Sequence, residues 1–140
     1  MDAEALQAFL AKPYDAIIST NRVGKGSQLT PVWFVWDGES FLFFTQKTSV
    51  KYANIVRDPT ISMIVNDPAT HTYVIAYGRA EIVGPEHYSE LWNAIVAKYI
   101  PEEKREQFTA AMQAIEQLSR VVIALKPEKV VGRTLPLPTL

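Results

Sequence analysis

The chain has 140 residues, 48% of them apolar, and a formal net charge of −1. That length and apolar content suit one domain over residues 1–140 with its own core, and they exclude a disordered chain. The near-zero charge excludes a global basic field for nucleic acid or an anionic membrane, and the absence of cysteine excludes disulfides, thiol chemistry and cysteine zinc sites. No apolar run approaches the ~20 residues of a membrane span. The opening MDAEALQAFLAK is acidic and only briefly apolar, unlike a secretory signal. These features lead us to expect a soluble, cytoplasmic domain with neither nucleic acid nor membrane as partner.

In residues 3–11, Leu6, Phe9 and Leu10 recur at helical spacing, and Pro13 stops the helix. Residues 15–20 read as a first strand. Residues 21–27 (NRVGKGS) form a loop with two glycines and two cations. Its GKG lacks the GxxxxGK[ST] spacing of a phosphate loop and is expected to be a hairpin turn, which leaves Arg22 and Lys25 without an assigned role. Residues 28–36 (QLTPVWFVW) read as a second strand. Pro31 cannot donate to a ladder, which places that part at an edge or bulge, with backbone groups free for a ligand. Asp37-Gly38 signals a two-residue hairpin into a third strand, residues 40–45.

Residues 41–59 (FLFFTQKTSVKYANIVRDP) carry the first functional signal. An apolar strand ends at Thr45, a polar turn follows, and a helix opens at Thr48 or Ser49 and closes before Pro59. A helix N-terminus reached from a strand end is an anion seat, because its first N–H groups are free and its dipole is positive there. Lys51 in the first turn opposes that dipole unless an anion is bound. Ser49 can cap the helix or meet a phosphate. Lys51, Asn54 and Arg57 share one stripe.

Residues 61–66 and 72–82 read as two more strands, with Gly78 marking a bulge or a close backbone approach. Residues 85–99 form an amphipathic helix with Leu91, Trp92 and Ile95 on its apolar side. A second helix spans residues 102–118, with Phe108, Met112 and Ile115 spaced for burial and a charged outer face. Residues 120–125 return as a strand ended by Lys126-Pro127. Residues 129–133 add a short strand, and a Pro-rich tail closes the chain. Strands joined mostly by short connections indicate a small antiparallel barrel.

His71 and His87 do not form a metal spacing, and neither a nucleophile elbow nor a Ser–His–Asp set is present. No catalytic side chain and no metal are therefore assigned. An enzyme with these residues would take its reactivity from a cofactor.

The sequence resembles the FMN-binding split-barrel superfamily, also called pyridoxamine 5′-phosphate oxidase-like. Within it the sequence looks most like the small branch of flavin- and deazaflavin-dependent oxidoreductases. The motifs are AIISTNR, TPVWFVWDGESFLFFT, TSVKYANIVRDPTISMIV, YVIAYGRAEIV and RVVIALKPEKVVG, in family order over nearly the whole chain. The resemblance implies an α+β fold: a six- to seven-stranded antiparallel split β-barrel of Greek-key type with peripheral helices. It implies a homodimer with cofactor at the interface, and a reductase that passes hydride from deazaflavin coenzyme F-420 to a small conjugated substrate. The alternatives are an FMN-dependent oxidoreductase and a non-catalytic flavin or haem binding protein.

Residue by residue, the resemblance places Pro31, Val32, Trp33 and Phe34 along the ring, with Thr45 near the phosphate or ribityl chain. Ser49 and Lys51 would hold the phosphate with Asn54 nearby, and Tyr73 would reach a partner's cofactor. The end, VVGRTLPLPTL, has no His after His87, which argues against pyridoxamine phosphate as substrate, and Arg133 stands where the family often carries Trp.

Overall fold

A computed structural model describes residues 1–115 and 120–137. The strands are β1 (Ala16–Thr20), β2 (Gln28–Val32), β3 (Val35–Trp36), β4 (Phe41–Gln46), β5 (Thr60–Asp67), β6 (Thr72–Val83) and β7 (Arg120–Thr134). The helices are α1 (Ala3–Leu10), α2 (Val50–Arg57), α3 (Tyr88–Tyr99) and α4 (Arg105–Ile115). Single 3₁₀ turns, Pro85–His87 and Glu102–Lys104, lead into α3 and α4. The expected extension of the last helix over residues 116–118 lies outside the described residues, as do the final three residues of the tail. No helix among the described residues is long and apolar enough to cross a membrane.

All strands pair antiparallel in one sheet, ordered β2-β1-β5-β6-β7-β4-β3. The strands alternate: Ala16, Ile18, Val65, Met63, Val74 and Ala76 point inward and are buried, while Ile17, Ile64 and Ile75 point outward. With period two, one face builds the core and the other stays partly solvated. Phe34, Phe41, Phe43, Ile123 and Leu125 fill the interior, and α1 plugs one end with Phe9 and Leu10. This curled antiparallel sheet with peripheral helices is the expected α+β split barrel.

Three local readings are corrected. The apolar run 28–36 is two strands on opposite edges of the sheet, β2 paired with β1 and β3 paired with β4. The chain leaves one edge at Val32 and joins the other at Val35. A continuous apolar run carries no mark of such a change of partner. The turn after Trp36 spans four residues, since Trp36 pairs with Phe41. The Asp37 carboxylate accepts the Glu39 and Ser40 N–H groups, and Gly38 takes φ +96°. The last strand does not stop at Lys126-Pro127. Tyr77 pairs with Lys129 and Gly78 with Pro127, so Glu128 is an extra residue and a bulge carries the strand past its proline. Gly78 is needed there, because a Cβ would lie 2.1 Å from the Lys126 carbonyl oxygen.

The junction between β2 and β3 closes the barrel. Two residues, Trp33 and Phe34, bring the opposite edges within about 11 Å. The buried Phe34 sits between the two strands, so its backbone groups need partners elsewhere. Helix α3 supplies them. Lys98 Nζ donates to the Phe34 and Leu10 carbonyls, both at 2.8 Å, and lies 3.7 Å from the Phe34 ring centroid. The Tyr99 hydroxyl accepts the Phe34 N–H at 3.2 Å and donates to the Tyr14 carbonyl at 2.7 Å. Burial pushes the Tyr99 phenol up to about 12 and the Lys98 ammonium down to about 8.

A lysine whose folded pKa lies below its unfolded value holds fewer protons folded than unfolded between the two values, so stability rises with pH there. Between about pH 8 and 10.5, the wild type should therefore gain stability relative to Lys98→Met, and below pH 8 the difference should be flat. Urea unfolding of both proteins across that range checks this. Parallel curves would mean that the buried ammonium keeps its ordinary affinity for the proton.

Candidate functional site

The cleft forms where the barrel seam, the N-terminus of α2 and the α3–α4 pair meet, and it encloses about 360 Å³. One wall is the seam itself: Pro31, Val32 and Trp33. Trp33 lies flat on Tyr99, with ring centroids 4.8 Å apart and planes 6° from parallel. The Tyr99 hydroxyl that bonds the Phe34 backbone thus belongs to the ring that supports Trp33. Because β2 is an edge strand, it has a ladder partner on one side only, so some of its backbone groups are free. Thr30, one residue before Pro31, holds the one buried side-chain hydroxyl without a partner among the described residues.

The opposite wall comes from the helices. Phe108 of α4 lies 6.0 Å from Trp33 and 6.0 Å from Trp92 of α3, and Trp92 lies 6.3 Å from Phe44 of β4. An aromatic belt therefore runs from Tyr99 through Trp33, Phe108 and Trp92 to Phe44. Ile95 and Met112 complete this wall. Such a belt suits a flat, conjugated ring, because offset and edge-to-face contacts are available on several sides.

The floor is the β4–α2 turn. Ser49 caps α2, accepting the Tyr52 N–H at 3.1 Å and donating to the Gln46 carbonyl at 2.7 Å, so its contact with the Thr45 hydroxyl (3.1 Å) is donated by Thr45. The Ser49 amide bonds the Gln46 carbonyl and the Ala53 amide bonds the Ser49 carbonyl. The Val50 and Lys51 N–H groups are left without an acceptor among the described residues, as the first turn of a helix dictates. Lys51 is half-buried beside them, and burial holds its ammonium below the ordinary lysine value. Arg120, the first residue of β7, stands across the floor next to Gln46, its register partner. Among the described residues, two cations therefore line the cleft and none of its lining residues is a carboxylate. Two cations and two free N–H groups with no local counter-charge are complementary to a phosphate.

Of the residues singled out from the sequence, Pro31, Val32, Trp33, Thr45, Ser49 and Lys51 come together in this cleft. Three do not line it. Phe34 is fully buried against Phe41, with its backbone bonded to α3. Asn54 is buried on the inner side of α2, where it donates to Thr20 Oγ1 (3.1 Å) and Gln28 Oε1 (3.2 Å) and accepts from Arg57 (3.2 Å). Arg57 also bonds the Asn21 carbonyl, and Asn21 bonds Asp58. This network fastens α2 to the β1–β2 hairpin. Arg22, in that hairpin, is held by the Gly26 carbonyl. Tyr73 lies on the outer face of the sheet, between Asn66 and Arg133 in register.

Sequence reasoning missed Arg120, Gln46, Phe44 and the role of Trp92, Phe108 and Met112 as cleft walls. The helical period marked Trp92, Phe108 and Met112 as buried without saying what they face. Arg120 carried no local signal at all. No group of three His, Asp or Glu residues that could hold a metal ion occurs among the described residues.

The comparisons with known proteins agree with this architecture. A sequence model of the pyridoxamine 5′-phosphate oxidase family matches residues 3–133, so the chain belongs to that family. Its fold is similar to that of Rv2991, a conserved hypothetical protein of Mycobacterium tuberculosis (TM-score 0.80, 22% identity, covering 100% of this chain and 92% of that one). It is also similar to an F-420 reductase (TM-score 0.68, 23% identity, 89% and 94% covered). A FAD-binding protein of Mesorhizobium loti shares the fold at 13% identity (TM-score 0.68, 94% of both chains). No curated protein matches the sequence.

Asn54→Ala should cost about 1–3 kcal/mol, because it strips partners from buried polar groups. Urea unfolding measures that loss. A variant of unchanged stability with weakened anion binding would instead make Asn54 a direct ligand.

Proposed function

We propose that this chain is a reductase that binds a flavin-type cofactor, deazaflavin coenzyme F-420, and reduces a small conjugated substrate. The observation that carries this reading is the unpaired cationic floor of an aromatic cleft. The Lys51 ammonium and the free Val50 and Lys51 N–H groups meet there, with no carboxylate among the lining residues. A solved F-420 reductase shares this fold. Lys47, exposed in the turn before α2, adds a cation for an acidic tail beyond the phosphate.

When bound, the reduced ring supplies the hydride. The chain's own residues do the rest. Lys51 and the α2 N-terminus hold the phosphate, and occupation relieves the conflict between Lys51 and the helix dipole. Pro31, Val32 and Trp33 flank the ring. Trp92 and Phe108 shut out water from the opposite side, which strengthens every polar contact within.

Titration of the purified protein with F-420 and, separately, with FMN tests this. F-420 should bind more tightly, and Lys51→Ala should weaken it by about 1–3 kcal/mol, the scale of a charge-assisted hydrogen bond. The reduced coenzyme should then be reoxidised by a conjugated acceptor. FMN that co-purifies and is reduced by NAD(P)H would overturn the deazaflavin assignment. Unchanged F-420 affinity in Lys51→Ala would overturn the phosphate seat, and binding without turnover of any acceptor would leave a carrier protein.

The homodimer belongs to the same proposal. Pro31, Ile17, Ile64, Ile75 and Val131 are register partners across five strands, and they form an apolar row on the outer face of the sheet. Tyr73 stands on that face two residues from Ile75, away from the cleft of its own chain. A second copy covering the row would bring Tyr73 toward its partner's cleft. Ile64→Glu, at the centre of the row, should halve the mass measured by light scattering. A wild type that already runs at 15.7 kDa would remove the dimer from the proposal.

A further inference from the structure

Arg120 is half-buried where the cleft meets a second cavity of about 350 Å³. Its guanidinium carbon lies 5.5 Å from the Trp92 centroid and 6.0 Å from the Phe44 centroid. Aromatic rings against the guanidinium hold it in place and spare its N–H edge, the part that grips a carboxylate in a fork. That edge makes neither a hydrogen bond nor an ion pair with any described residue. The described ion pairs are His87–Glu86 and Lys126–Glu81, both remote from the cleft.

The second cavity has a different lining from the first. It opens between α3 and α4, and its polar groups are neutral: Ser89, Asn93 and Gln113, with the Tyr88 phenol. Among the described residues, Arg120 is its one cation and no carboxylate lines it. Trp92, Met112 and Arg120 belong to both spaces, whereas Lys51 and Ser49 face the first alone. A molecule held at Arg120 with its polar end among Asn93 and Gln113 would extend its body past Trp92 into the aromatic cleft.

We propose that Arg120 is the carboxylate receptor for the acceptor, and that the substrate class is a planar conjugated acid. This rests on the reductase reading and divides the two cations between two ligands. Lys51 serves the cofactor phosphate, on which the α2 N–H groups also converge. Arg120 serves the substrate acid, which the amides of Asn93 and Gln113 and the Ser89 hydroxyl can also meet. Two separate cationic seats on one aromatic belt hold two flat molecules side by side, as a transfer between them requires.

The test uses 2-naphthoate as a planar acid and 2-naphthamide as its uncharged counterpart, each titrated into the full chain while tryptophan emission is followed. Trp33 and Trp92 wall the cleft, so occupation should quench them. Naphthoate should bind saturably, about tenfold more weakly to Arg120→Gln and at an intermediate level to Arg120→Lys. Naphthamide should bind more weakly than naphthoate and equally to all three proteins. Lys51→Ala should leave naphthoate affinity where it is while weakening F-420.

Naphthoate affinity that ignores Arg120, the absence of saturable binding at millimolar naphthoate, or an equal loss in Lys51→Ala and Arg120→Gln would each overturn the proposal. Arg120-dependent naphthoate binding in a protein that takes no F-420 would overturn the reductase reading and keep the carboxylate seat. F-420 binding with Arg120-independent naphthoate would do the reverse.

Discussion

The fold turns on one junction. A seven-stranded sheet whose two edges are joined by only two residues has to curl until those edges meet. The link, Trp33 and Phe34, then lies at the barrel wall with backbone groups outside the ladder. Leaving them dry would cost on the order of 1–3 kcal/mol each. Lys98 and Tyr99, consecutive residues at the end of α3, satisfy the carbonyl and the N–H of Phe34, and they tie in Leu10 and Tyr14 from the N-terminal segment as well. The same contacts build the cleft. Once Tyr99 is fixed, its ring supports Trp33, and α3 is held so that Trp92, seven residues or about 10 Å earlier, reaches the far wall. Barrel closure and cleft formation are one event.

The electrostatics of the cleft follow from where its cations sit. A lysine in the first turn of a helix and half out of water is unfavourable twice over: it opposes the dipole, and it is poorly solvated. Its lowered pKa registers the second effect. Arg120 tolerates its position through Trp92 and Phe44, because a guanidinium is weakly hydrated and stacks on rings. Among the described residues, neither cation is neutralised by a carboxylate of the cleft. A surface that only needed solubility would gain nothing from this arrangement, whereas a site for anionic ligands needs it.

The similarity to solved structures at 22–23% identity lies in the architecture. Identity this low leaves cleft chemistry to each chain. Here that chemistry is concentrated in three elements that are distant in sequence: the seam at residues 31–33, the α2 N-terminus, and the α3–α4 pair with the start of β7.

What the sequence determined by itself was much of what local geometry governs, though not the length of the turn after Trp36. Ser49 as the cap of α2 and Pro31 on an edge could be read, because a cap and a missing N–H act within a few residues, and Gly78 signalled a bulge or close approach without showing that Lys126, 48 residues on, makes it. The α2 N-terminus with free N–H groups and Lys51 beside them was legible for the same reason. Tertiary structure alone decided which strands pair. It cut the single apolar run 28–36 into β2 and β3, and it carried β7 through Pro127 on a bulge. It also turned Asn54 inward to a buried network and brought Trp92, Phe108 and Arg120 to a cleft whose floor begins at Thr45. Those outcomes depend on loop closure and on partners as distant as Phe108 is from Trp33, 75 residues away, and the apolar period that marks a residue as buried does not say which surface will bury it.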